Sequence, residues 1–211
     1  MRNKLFKHLC KPSAFFKSQS GVTLVELIVF IVIVSVALVG VLKTLEITNR
    51  GSVDPMLSKQ AVSIAESLLV EIEQQPFTYC DPDDTSSSTA SSTAFCTGGA
   101  ANSQDKNGGT LGPQPSTESR YSNTDPFDNV ADYNGFTMPD ANCAGICLAG
   151  DNTPLPNLAG YNASVTISRV GNVSPFTLSA AAVLKIVVQV TGPANTSVKL
   201  TGYRVRYAPN I

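Results

Sequence analysis

The sequence predicts an α+β protein: a long N-terminal helix, membrane-spanning in its first half and amphipathic in its second, packed on a C-terminal antiparallel β-sheet. Three observations predict it. A 21-residue apolar run, Val22 to Leu42, follows a short basic segment. Apolar residues then recur at spacings of three and four as far as Ile72. Residues 161–211 switch to alternation with period two.

Residues 1–21 carry five basic side chains, Arg2, Lys4, Lys7, Lys11 and Lys17, and no acid. The remainder holds ten Lys and Arg against sixteen Asp and Glu, a net of −6. An acidic remainder without a basic patch argues against a nucleic-acid partner. The single histidine, His8, lies in the basic segment. Everything after it therefore lacks the commonest general base and metal ligand. With no base for a nucleophile, neither an enzyme activity nor a cofactor is expected.

Val22 to Leu42 carries one charge, Glu26. About 20 apolar residues cross the hydrocarbon core as a helix, and this run is hydrophobic all round, as a lipid-facing span requires. Basic residues crowd the N-terminal flank, so the N-terminus is expected in the cytoplasm and the chain after about residue 45 in the periplasm. The cysteines agree with that orientation. Cys10 precedes the span, while Cys80, Cys96, Cys143 and Cys147 follow it. An even set of four suits an oxidising compartment.

A span over 22–45 and an amphipathic helix over 46–76 are expected next. Between them Gly51, Asp54 and Pro55 supply the signals of a break: a C-terminal glycine, an N-cap and a first-turn proline. Leu57, Ala61, Ile64, Ala65, Leu68 and Ile72 form the apolar stripe, with Ser58, Ser63, Glu66, Glu73 and Gln74 opposite, until Pro76 stops the helix. A continuous helix from Val22 to Gln75 would measure roughly 80 Å at 1.5 Å per residue.

Residues 77–160 are rich in Ser, Thr, Gly, Asn, Asp and Pro. They read as mostly loop, with short elements around Phe127 to Thr137. So long a loop calls for stapling by disulfides. Four cysteines allow three pairings, of which Cys80 with Cys96 and Cys143 with Cys147 is the local one. The first would close a loop worth about 3 kcal/mol on the chain-entropy model. Tyr161 to Ser168, Val183 to Thr191 and Val198 to Tyr207 read as three strands. Leu184, Ile186, Val188 and Val190 share one face of the second, and Gly192-Pro193-Ala194-Asn195 turns it into the third.

The sharpest motif is Gly21-Val22-Thr23-Leu24-Val25-Glu26-Leu27, directly after the basic segment. It resembles the processing site of class III signal peptides, found on type IV pilins, minor pilins and type II secretion pseudopilins. The resemblance implies a cleaved leader over residues 1–21. The cut would fall between Gly21 and Val22, made by a prepilin peptidase that also methylates the new Val22 amine. It further implies that Glu26 meets the N-terminal amine of a neighbouring subunit. A carboxylate in a spanning helix costs about 2.5–3.5 kcal/mol at the centre, so pairing would offset a real penalty. Val22 and Lys43 depart from the pattern, standing where many pilins have phenylalanine and proline. Asp54-Pro55-Met56, Gln60-Ala61 and Ile64-Ala65-Glu66 are similar to the helix of D-type minor pilins of the mannose-sensitive haemagglutinin pilus. Asp132-Tyr133-Asn134-Gly135-Phe136 is similar to a segment of their heads.

Two acidic groups remain. Asp81, Asp83 and Asp84 are candidate calcium ligands, and Asp125, Asp128 and Asp132 form a second set. Solvated acidic loops are the preferred reading of both, and no metal is expected. The resemblance implies a pilin-like fold and a minor type IV pilin that primes or joins pilus assembly and aids adhesion. Its partners would be other pilin subunits, the peptidase and the inner membrane, with a filament at the cell surface as its destination. A type II secretion pseudopilin is the alternative within the superfamily. A single-span anchored periplasmic enzyme or receptor is the alternative outside it.

Overall fold

The computed structural model describes residues 21–206, and for residues 47–54 and Asn107 the backbone alone. The basic segment, with His8 and Cys10, lies outside the described residues, as does Tyr207 at the expected end of the last strand. The chain forms two units, residues 1–49 and 50–211.

One helix, α1, runs Leu24–Gln74. The break expected at Gly51 to Pro55 is absent, because all five residues are helical. Pro55 sacrifices one hydrogen bond, the one its missing N–H would have given to the Gly51 carbonyl. Ending one helix and nucleating another would sacrifice more, since nucleation is the costly step.

In the first unit α1 exposes every side chain from Leu24 to Glu46. This stretch is long and apolar enough to cross a membrane. Its hydroxyl groups are satisfied within the helix. Ser35 Oγ donates to the Ile31 carbonyl at 2.7 Å, and Thr44 Oγ1 to the Gly40 carbonyl at 2.8 Å. Such bonds four residues back suit hydrocarbon, where water cannot serve as partner. Lys43 and Glu46 pair at 3.2 Å near its end.

The second unit is α1 from residue 50 onward, a loop region and a sheet. Four antiparallel strands lie in sequential order: β1 (Thr137–Met138), β2 (Asn162–Arg169), β3 (Val183–Thr191) and β4 (Ser197–Val205). Three of them match the expected strands to within two residues, and β1 is an addition. Alternation along β2 buries Ala163, Val165 and Ile167 and exposes Asn162, Ser164, Thr166 and Ser168. Val165 faces Val188, and Ile167 faces Ile186 across the β2–β3 register. These side chains form one core with Ala61, Ile64, Ala65, Leu68 and Ile72 of α1. Where β4 passes α1 it carries Gly202, and a Cβ there would collide with the Glu73 carboxylate. In the turn before β4, Ala194 and Asn195 adopt positive φ, 54° and 59°.

The loop region is held by specific bonds and has little regular structure. Cys80 joins Cys96 and Cys143 joins Cys147, with Cα atoms 5.3 Å and 6.3 Å apart. Asn129 starts a short 3₁₀ helix, Val130–Tyr133. Its side chain accepts from the Ala131 N–H, and Asp132 Oδ2 accepts from the Asn129 N–H at 2.7 Å. This reciprocal capping lets four buried residues satisfy their backbone without a longer helix.

Glu71 of α1 is the polar anchor for these loops. Arg120 donates to both of its oxygens at 2.7 Å, and the Tyr133 hydroxyl donates to Oε1 at 2.9 Å. Arg120 also donates to the Cys147 carbonyl at 2.9 Å and lies over the Phe136 ring. Burial and then the Glu71 charge push the Tyr133 pKa upward, so its hydroxyl stays a donor. Arg120 is 5 % exposed and Glu71 21 %, which makes removal of either partner costly. Glu71→Ala should destabilise the head by about 3 kcal/mol, the low end for breaking a buried pair. Urea unfolding of the detergent-solubilised protein checks this, and a loss under about 1 kcal/mol would mean the pair behaves as a surface one.

Candidate functional site

Gly21, Val22 and Thr23 precede α1 outside regular structure, and all three are exposed. Thr23 caps the helix. Its Oγ1 accepts from the Glu26 N–H at 3.3 Å, and its carbonyl accepts from the Leu27 N–H at 3.1 Å. Thr23-Leu24-Val25-Glu26 is the spacing of a capping box, a local signal that the reading of the span overlooked. Glu26 thus sits in the first turn, where the helix dipole favours a negative charge. Its carboxylate has no partner among the described residues. Gly21 has open space around it, with nothing within 4 Å of the position a Cβ would take. The structure brings Gly21, Val22 and Glu26 to one exposed helix start.

Residues 16–42 match the family model of the prokaryotic N-terminal methylation motif. Together with the apolar helix that it overlaps, the motif indicates a type IV pilin-like protein. The arrangement of α1 over an antiparallel sheet is pilin-like as well. No curated protein and no solved structure matches the chain.

The head holds a second concentration of chemistry, and it differs from the acidic group expected around Asp81, Asp83 and Asp84. Asp84 turns away from the other two. It accepts from the Thr97 N–H at 2.7 Å, the Thr97 hydroxyl at 2.8 Å and the Ser86 N–H at 2.7 Å. These donors hold its pKa down, the Ser86 N–H most of all. Asp125 is likewise engaged elsewhere, by the Thr117 hydroxyl at 2.9 Å. Asp81 and Asp83 instead meet Asp128, and Asp128 in turn meets Glu118 and Asp132. Glu118 carried no sequence signal for this role; its loop reaches the group only through the tertiary fold.

Burial dominates the electrostatics here. Desolvation, and then the charges of Asp81 and Asp83, push the Asp128 carboxyl up to about 7. Desolvation also pushes Glu118 and Asp132 upward, and each is raised further by a neighbouring carboxylate. An acid raised in the folded state holds a proton that the unfolded chain has released. Its stabilising effect is therefore complete below the unfolded pKa near 4 and is lost as pH rises toward the folded value. In divalent-free buffer the melting temperature should fall between about pH 5 and about pH 8. Thermal scans across that range decide it, and a flat or rising profile would refute the electrostatic account.

Proposed function

We propose that this protein is a minor type IV pilin, a structural subunit that is processed at the inner membrane and enters or primes a pilus. One observation carries the reading. Within Leu24–Glu46 the Ser35 and Thr44 hydroxyls bond within the helix and Lys43 pairs with Glu46, while Glu26 is left without a described partner. It lies four residues past Val22, roughly 6 Å along the helix. Cleavage between Gly21 and Val22 would create a charged amine at nearly the same depth. In a filament the amine of a neighbouring copy or of another pilin would supply the partner, so each subunit would carry one donor and one acceptor.

Leader removal would leave an exported head stapled by two disulfides, with the orientation that the basic flank implies. The resemblance to D-type minor pilins supports the finer placement among pilins. It rests on the residues from Asp54 to Glu66 and on Asp132 to Phe136.

Gly21→Val should abolish maturation. Immunoblots of cells carrying the peptidase should show only the longer form, and a mature-sized band would refute the cleavage site. Glu26→Ala should leave membrane insertion and disulfides intact, because it makes the span more apolar. It should reduce the protein recovered in sheared pili by about tenfold, the worth of a pairing of roughly 1.4 kcal/mol. Equal recovery from mutant and wild type would remove the pairing role. Deletion separates the superfamily's two branches: loss of pili supports the proposal, and loss of secretion with pili intact assigns the chain to the pseudopilins.

A further inference from the structure

Five carboxyl groups from separate loops converge beside the Cys80–Cys96 staple. One oxygen each of Glu118, Asp128 and Asp132 lie within 4.8 Å of one another, and the same holds for Asp81, Asp83 and Asp128. Glu118 is 7 % exposed and Asp132 1 %. Glu118 Oε2, Asp128 Oδ1 and Asp132 Oδ1 are buried with no hydrogen-bond partner among the described residues. Each member of the inner trio thus has one oxygen that no N–H or O–H reaches directly, although Glu118 also shares a carboxyl–carboxylate contact with Asp81 and Asp132 a contact with Gln104. Beside them Gln104, 1 % exposed, gives its Nε2 to Asp81 Oδ2 at 3.3 Å, while its own Oε1 lacks a donor.

Protein cations do not fill this need. Among the described residues no Lys or Arg forms a salt bridge with these five carboxylates. Lys106 is near enough to feel Asp132, Glu118 and Asp81, but its Nζ donates to the Pro113 carbonyl and to Gln114 Oε1. Arg169 pairs with Asp105. Three buried acceptors without donors are an expensive arrangement unless something bonds to all of them.

We propose that Glu118, Asp128 and Asp132 bind one calcium ion, with Asp81 and Asp83 extending the negative field on its outer side. Oxygens around one calcium ion, each 2.3–2.6 Å from it, stand at most about 4.6–5.2 Å apart, and one oxygen from each of the three lies within 4.8 Å of the others, close enough for a single ion to span. The donor set is entirely oxygen, which disfavours zinc. Three carboxylates in a protein cage suit calcium better than magnesium, which keeps its waters and takes one or two. Asp132 is already positioned. Its Oδ2 is occupied by the N–H groups of Asn129 and Asp128, at 2.7 Å and 3.2 Å, which orients Oδ1 in advance. The ion would tie the turn at Glu118 to the capped segment at Val130–Tyr133, and through Asp128 to the loop after Cys80.

The test uses the full-length protein in detergent, stripped with chelator and titrated with calcium chloride at about pH 7.5. Calorimetry should find one ion per chain, saturating below about 1 mM, the range of extracellular calcium modules. Calcium should raise the melting temperature of the wild type. Glu118→Gln and Asp132→Asn should each abolish that rise. Glu118→Gln is the more conservative variant, because a glutamine can keep the contact that the Glu118 side chain makes with Asp81. An unchanged wild-type transition and no binding heat would overturn the proposal and leave protons as what neutralises the cluster. A calcium response surviving in both variants would overturn the ligand assignment, and an equal response to magnesium chloride would overturn the choice of ion. The wild-type titration stands on its own should a variant fail to fold.

Discussion

Ala61, Ala65, Leu68 and Ile72 make a narrow apolar stripe on α1, and burying it sets where the rest of the head can lie. Small residues at 61 and 65 and larger ones at 68 and 72 are buried in one core with Val165, Ile186 and Val188 of β2 and β3. Full burial of each Leu or Ile is worth roughly 1.5–3 kcal/mol, so this contact dominates the favourable terms. The sheet covers the stripe from one side and leaves its own outer face to water. Ser164, Thr166 and Gln189 are exposed as a result. Gly202 fits this contact, since a side chain there would have to displace the Glu73 carboxylate.

A helix and a four-stranded sheet cannot organise some 80 residues of loop by hydrophobic contact alone. The loops are instead tied to the core at polar points. Glu71 projects from the edge of the apolar stripe and collects Arg120 and Tyr133, and Arg120 reaches on to the carbonyl of Cys147. Asn134 does similar work between the loop and the sheet, since its Oδ1 accepts the Ile167 N–H at 2.8 Å. These bonds are directional and lie in partly dry surroundings, where each is stronger and its loss more damaging. The carboxylate group around Asp128 belongs to the same logic but carries an excess of one sign. That excess makes it the place where the head is most open to its ionic surroundings.

The two halves of α1 answer to different solvents. Up to Glu46 the helix is apolar on every face and satisfies its hydroxyls on its own backbone, as hydrocarbon demands. Beyond Pro55 it is amphipathic, as packing on a sheet demands. Continuity through Gly51 and Pro55 overrides the local break signals there, because propensity at a few residues is weak against a helix already propagating on both sides. Thr23 acts on the shortest scale: its cap is written in the four residues that open the apolar run.

The sequence by itself determined the apolar span, its lone glutamate four residues past Val22, the amphipathic stripe and the strands from Tyr161 onward. Each is a periodic or local pattern, and the backbone's two repeats, 3.6 and 2, convert such patterns directly into a buried face. Tertiary structure alone decided which of three cysteine pairings is present, that Glu71 would bind Arg120, and which carboxylates would meet. Asp84 lay in the expected acidic run yet bonds to Thr97, while Glu118, distant in sequence, joins Asp128 and Asp132. Contacts between aperiodic loops depend on how the chain closes over the core. No residue spacing encodes that closure, because its direction is set by many weak bonds acting together and not by any repeat along the chain.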